Sequence, residues 1–347
     1  MRAFLIAKIA LAASSAALVA CSGGAGVGRV PVTSQSIHQR VPPPCVPSVW
    51  ASSLSANAVY GFTGPGAPCI TLNGTYNGQP LSGPYGLATD NAGNLYVADS
   101  NNIRILVFTK NGTFVKEWIT GLMSGKYEPV GVCVSNTLGV VGVGNQATSG
   151  SAGNVMFFNT SAANFSGPTG WASWTVKPSE GYCAFTKIGD FFVDAADANG
   201  SNRRVAYVPR GKVNLPSQAL VNSGVSPAGY WVGMYCNKGT DTTVLHVGAA
   251  VNAATTQKIY GWQVTGPANG PLTFTPKPTI LLTSYPTATN PLQQIAPATP
   301  GPGRKLYVAD YGAGSVLDAP DPAGGAVSVF GSVTSAVGVA TYPDGQN

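Results

Sequence analysis

Two histidines, ten aspartates, three glutamates and six cysteines are all that this 347-residue chain offers for proton transfer, nucleophilic attack or metal binding. A histidine base needs a nucleophile within reach and a third group to orient it. His38 lies in a stretch rich in Gly and Pro, while His246 sits inside the apolar run Val244-Leu245-His246-Val247, where it reads as a packed, hydrogen-bonded residue. No Gly-x-Ser-x-Gly elbow accompanies it. Asp99 and Asp310 both close the pentapeptide Leu-Tyr-Val-Ala-Asp, and a carboxylate repeated at one position points to a side chain that staples a turn. No metal ligands are assigned and no cofactor is expected. Calcium, which needs acidic and amide ligands converging from several segments, is the alternative kept open.

These groups must be positioned by short strands. From Gly83 to Trp118 the chain reads as apolar runs of four to seven residues broken by Asp90-Asn91-Ala92-Gly93, Ser100-Asn101-Asn102 and Lys110-Asn111-Gly112, the pattern of a four-strand antiparallel meander. A lone meander cannot bury its faces, and degenerate copies follow at spacings of about 45 to 60 residues. First strands recur at Gly131-Val132-Cys133-Val134, Gly181-Tyr182-Cys183-Ala184, Met234-Tyr235-Cys236, Leu292-Gln293-Gln294-Ile295 and Gly338-Val339-Ala340-Thr341. This period with four short strands per unit predicts an all-β fold, a six-bladed β-propeller over 45–347. The body begins with a second strand at Ser48-Val49-Trp50-Ala51-Ser52 and ends with a first strand, so the N- and C-terminal segments are expected to share one closing blade.

The unit at Pro84-Tyr85-Gly86, Asn94-Leu95-Tyr96-Val97-Ala98-Asp99, Asn101-Asn102, Arg104 and Phe108 resembles the NHL repeat, closely in this copy and partly in the last one. That resemblance likewise implies a six-bladed propeller. It implies little about activity, because NHL-like propellers include lyases, lactonase relatives and binding scaffolds. The histidine ligands of an amidating-lyase metal site are missing here.

Residues 1–20 read as an export signal, with Met1-Arg2 ahead of an Ala-rich apolar segment. Leu18-Val19-Ala20-Cys21 resembles the bacterial lipobox, which implies a lipid on Cys21 and a chain attached to membrane lipid on the extracytoplasmic side of the cell envelope. Ser22 at the next position resembles lipoproteins of the outer membrane in diderm bacteria. Residues 21–44, with Gly at one end and Pro42-Pro43-Pro44 at the other, read as a disordered tether. Setting aside Arg2, Lys8, Arg29 and Arg40 takes the formal charge from +6 to +2, too little for nucleic-acid binding. A monomer is expected.

Cys45 and Cys69 fall in the region that joins the first blade, where a disulfide would pin the N-terminal end. Cys133, Cys183 and Cys236 are assigned to matching first-strand positions, where Ala88 and Ala340 stand in other copies. They read as small buried filler, with a Cys183–Cys236 bridge or a thiolate metal site as alternatives.

Alternating strand directions bring the start of each first strand and the end of each second strand to one face. The candidate ligand-binding residues at this mouth are Tyr85, Arg104, Glu128, Glu180, Tyr182, Arg203 and Trp231. Tyr127, Tyr230, Asn101, Asn102, Asp197, Asn202 and Tyr311 belong to the same loops. Aromatic faces with a few acids, amides and guanidinium groups suit a saccharide or a peptide segment. The sparse ionisable inventory favours a lipid-anchored scaffold that binds a protein or polysaccharide. The alternative is a lyase or lactone hydrolase with a divergent site.

Overall fold

A computed structural model describes residues 45–120, 127–147, 154–173, 181–195, 204–213, 215, 218–225, 230–236, 244–250, 254, 256–286, 292–297, 305–320 and 324–342. The signal and tether expected over 1–44, including Cys21, lie outside the described residues.

Six sheets, each built on four antiparallel strands, stand in a ring, a six-bladed β-propeller. Blade 2 shows the plan with strands Pro84–Thr89, Leu95–Asp99, Arg104–Phe108 and Phe114–Ile119, from the axis outward. Blades 3 to 6 have their inner strands at Tyr127–Ser135, Cys183–Phe185, Tyr230–Cys236 and Leu292–Pro297. Each blade is apolar on both faces because it packs against two neighbours, so the second strand Leu95–Asp99 is buried at every position rather than alternating.

The ring closes as the sequence implies. Val49–Ser53 pairs antiparallel with Ala336–Thr341 on one side, Val49 opposite Thr341, and with Ala58–Phe62 on the other. Blade 1 is therefore built from both ends of the body, and its outer strand Ile70–Leu72 completes it. Cys45 and Cys69 are joined in a disulfide at the outer side of this blade.

A second set of connections was not legible in the repeat pattern. In blade 4 the segment Gln218–Ala219 pairs parallel with Gly170–Ser173 of blade 3 before Val221–Asn222 joins its own sheet. In blade 6, Gly325–Ala326 does the same to Thr273–Thr283 of blade 5. Single backbone bonds extend the theme: Gly66 N–H donates to the Phe330 carbonyl of blade 6, Phe165 N–H to Glu117 of blade 2, and Gly211 N–H to Ala268 of blade 5. Outer edges that would otherwise be open for pairing with another chain are thereby engaged by their neighbours.

The cysteine assignment needs correction. Cys133 is bonded to Cys183, and Cys236 is a buried free thiol. Cys183 stands opposite Val193, as Leu87 stands opposite Val97, one residue earlier in the repeat than Ala88. One residue along a strand reverses the face. Cys183 therefore points back toward blade 3, where it meets Cys133 in the core between those blades. Cys236 also points back, into the core between blades 4 and 5 with Ala184 and Phe192, so Cys183 and Cys236 never face each other. Burial pushes the Cys236 thiol well above its usual range, with the Asp190 carboxylate adding to the effect.

Removing residues 336–347 takes the inner strand from blade 1 and strips Val339 and Ala340 from the cores they share with blades 6 and 2. The expected outcome is a loss comparable to a domain's whole stability, of order 5–15 kcal/mol. Calorimetry checks this, and a truncated chain with an unchanged midpoint and enthalpy would contradict the shared blade.

Candidate functional site

The mouth is shaped first by how its inner strands enter it. Their starts converge so closely that a Cβ on Gly338 would stand 2.1 Å from the Tyr85 carbonyl oxygen, one on Gly86 2.3 Å from that of Val130, and one on Gly131 1.9 Å from that of Gly181. Glycine is the residue that permits such backbone contact. Beside these glycines the first-to-second-strand registers slip, between Pro84 and Leu87 and between Pro129 and Gly131, so each strand bends as it reaches the axis.

Tyr182 occupies blade 4 at the position of Gly86 and is 1% exposed. Its ring crosses the axis: the hydroxyl lies 2.9 Å from Gln293 Oε1 of blade 6 and 3.3 Å from the Val337 carbonyl of blade 1. The Tyr85 ring packs 6.1 Å away, centroid to centroid. Gln294 makes a second crossing, its Oε1 accepting from Leu87 N–H (2.9 Å) and Val339 N–H (3.2 Å) while its Nε2 donates to the Leu87 carbonyl (2.7 Å). Between the inner strands of blades 1, 2, 3 and 6 there remains a hollow of about 10 Å³ lined by Leu87, Ala88, Thr89, Val134, Ala296 and Thr341. That is room for one water. Tyr182 is thus part of an axial plug rather than of an open mouth, its long side chain filling space that blades 1, 2 and 3 leave with Gly338, Gly86 and Gly131.

Arg104 also leaves the mouth. It is 3% exposed, with Nε donating to Asp99 Oδ2 (2.7 Å), Nη1 to Glu117 Oε2 (2.6 Å) and to the Tyr76 carbonyl, and Nη2 to the Gln79 carbonyl. The last two contacts fasten the hairpin Thr75–Tyr76/Gln79–Pro80 that links blades 1 and 2. Asn102 donates to Asp99 and to the Pro80 carbonyl, and Asp99 accepts from Ser82 N–H, so these loop amides and acids are consumed as turn staples.

Of the remaining candidates, Tyr85 and Glu128 are half-buried at the mouth, with Tyr127 beside Glu128 in the same strand and Gln146 exposed opposite. The backbone of Trp231 pairs with Ala249 in blade 5. Glu180, Arg203, Asp197 and Asn202 lie outside the described residues. His246 is buried and stacked on Tyr235 at 4.6 Å with the rings nearly parallel, the packed environment expected for it. No three His, Cys, Asp or Glu side chains among the described residues stand together as a metal-binding set.

Residues 81–108 match the NHL repeat. No curated protein matches the sequence. Among solved structures, a protein of unknown function from Bacteroides caccae is similar at 11% identity, covering 84% of this chain and 97% of that one with a TM-score of 0.54. Hydrazine synthase from Kuenenia stuttgartiensis is similar at 13% identity over 84% of this chain and 80% of that one, TM-score 0.46. A luciferin-regenerating enzyme is similar at 8% identity over 74% and 78%, TM-score 0.48. Such likeness is one of fold alone.

The NHL unit's Asp-Arg pair explains a feature of blade 6. Asp310 takes the place of Asp99, but its cross-strand partner is Ser315 where blade 2 has Arg104. Asp310 Oδ1 accepts from Ala313 N–H (3.0 Å), whereas the buried Oδ2 has no hydrogen-bond partner among the described residues. Burial without a cation pushes the carboxyl up to about 6, and its field in turn raises the buried Tyr285 phenol, whose main cause is again burial.

Two stability effects follow from the contrast. Arg104→Met leaves Asp99 and Glu117 buried without a counter-ion, which should cost about 3–5 kcal/mol in denaturant unfolding. A change below about 1 kcal/mol would show the trio to be dispensable. For Asp310 the sign is opposite to that of an ion-paired carboxylate. Its folded value lies above the ordinary 3.8, so its contribution is full below pH of about 4, is lost as pH rises through about 6, and is flat beyond. Asp310→Asn should flatten that slope and raise the melting temperature at pH 7 or above, as read by thermal scans across pH. An unchanged slope would contradict the assignment.

Proposed function

We propose that this protein is a lipid-anchored extracytoplasmic binding scaffold, held to the membrane through Cys21, that captures a protein or polysaccharide at the face where the inner strands begin. What carries the reading is the fate of the ionisable groups. Arg104, Asp99 and Glu117 are closed into one buried network, Asp190 is paired with Arg210 at 3.1 Å, Asp318 is held by Lys305 and Ser328, and His246 is stacked inside a blade. Among the described residues, Tyr182, Gln293 and Gln294 fill the axis and leave between the inner strands no more than a hollow for one water, too small to shield a reaction from solvent. The half-exposed groups are Tyr85, Tyr127 and the Glu128 carboxylate. Ring faces beside one acid recognise polar surfaces such as sugar rings or peptide.

The test uses full-length Cys21→Ser protein, free of lipid, on glycan and peptide arrays. Binding of at least one class is expected, weakened about tenfold or more by Tyr127→Ala, the loss of one central contact, with an unchanged melting temperature. No binding to either class, together with hydrolysis of a lactone that Glu128→Gln abolishes, would replace the scaffold by an enzyme.

A further inference from the structure

The opposite end of the propeller carries the turns that join first to second strands and the connections that join third to fourth. Three of these meet at one corner between blades 3 and 4. Thr137 Oγ1, in the first turn of blade 3, donates to the Lys187 carbonyl in the first turn of blade 4 (2.7 Å). Leu138 lies against that same turn, since a Cβ on Gly189 would meet Leu138 Cδ1 at 2.6 Å. Asp190 then accepts from the Arg210 backbone N–H (2.9 Å) and Nη1 (3.1 Å), which ties in the connection running through Lys212 to Leu215.

The side chains at this corner are of two kinds. Leu138, Ile188 and Leu215 are 37%, 41% and 45% exposed, large aliphatic groups left in water by three neighbouring loops. Lys187 and Lys212 are exposed beside them, and Arg210 is partly so. The corner's carboxylate, Asp190, is 2% exposed and already neutralised by Arg210, so it cannot offset the lysines. Aliphatic tips on three neighbouring loops, beside ammonium groups that no carboxylate among the described residues neutralises, are the chemistry that lies on an anionic bilayer: the tips enter the boundary between headgroups and acyl chains while the lysines meet phosphate. A site for a soluble anion would need no exposed aliphatic groups, and a protein interface is depleted in Lys at its centre.

We propose that the corner formed by Leu138, Ile188, Leu215, Lys187 and Lys212 is a contact site for an anionic lipid bilayer. It acts independently of any lipid on Cys21, and it turns the face bearing Tyr127 and Glu128 away from the membrane.

The experiment sediments full-length Cys21→Ser protein with phosphatidylcholine vesicles, with and without phosphatidylglycerol. Residues 1–20 are common to all variants, so only differences between variants are read. Binding should rise with phosphatidylglycerol and fall with salt. It should drop about thirtyfold in the double variant Lys187→Ala/Lys212→Ala, from the attraction typical of a lysine at such a surface. Ile188→Ser, in an exposed turn, should also weaken binding at an unchanged melting temperature. Equal binding by all three proteins would overturn the proposal. So would capture of polyphosphate that needs the lysines but not Ile188, without vesicle binding, which would mark the corner as an anion site.

Discussion

Inner strands can converge on one axis only if their backbones touch where they enter, and the rest of this molecule follows from that contact. Gly338 abuts Tyr85, Gly86 abuts Val130 and Gly131 abuts Gly181, each blade seated on the carbonyl of the next. With the strands this close, little axial space remains, and one tyrosine with two glutamines fills the entrance while a hollow the size of a water is left beneath. A tighter ring also places the two cysteines of adjacent blades within bonding reach once their faces are opposed. Closure by the last strand is then a geometric necessity, since any gap would expose the apolar faces of two blades.

Charge is handled in the same economical way. In a chain with 9% charged residues, Arg104, Asp99, Glu117 and Asp190 are spent inside, where they hold loops to blades. Blade 2 shows the arrangement complete, with Arg104 satisfying two acids and two carbonyls. Blade 6 shows it with the arginine lost and the aspartate retained. Degeneracy of the repeat therefore has a physical cost at a nameable atom, Asp310 Oδ2.

The architecture was readable because its signals are local. Turn residues at Asp90–Gly93 and Lys110–Gly112, and the recurring Leu-Tyr-Val-Ala-Asp, fix strand order and phase without knowledge of any long-range contact. What escaped was whatever depends on a face or a distance across the ring. The letter pattern sets Cys183 one residue out of phase, since blade 4 has Tyr182 where the motif has glycine and the letters no longer align. Tyr182 and Arg104 have the chemistry of ligand-binding residues, and only the three-dimensional path of their side chains shows them to be a plug and a fastener. The parallel pairings of Gln218–Ala219 and Gly325–Ala326 are two residues long and carry no pattern at all. Tyr85 and Glu128 are half-exposed at the starts of their inner strands, positions that follow from the strand pattern alone.

The disulfide at the start of the body changes how the molecule bears tension. The first and last strands pair with Val49 opposite Thr341, so a pull applied to the two ends of the body would act on the same end of that pair and open its hydrogen bonds one after another, like a zip. Cys45 precedes Val49, and its bond to Cys69 gives force arriving from the N-terminal side a covalent bypass around Val49–Ser53 and Ala58–Phe62. Load from that side passes directly toward Ile70–Leu72 at the blade's outer edge instead of peeling the closing pair from Val49.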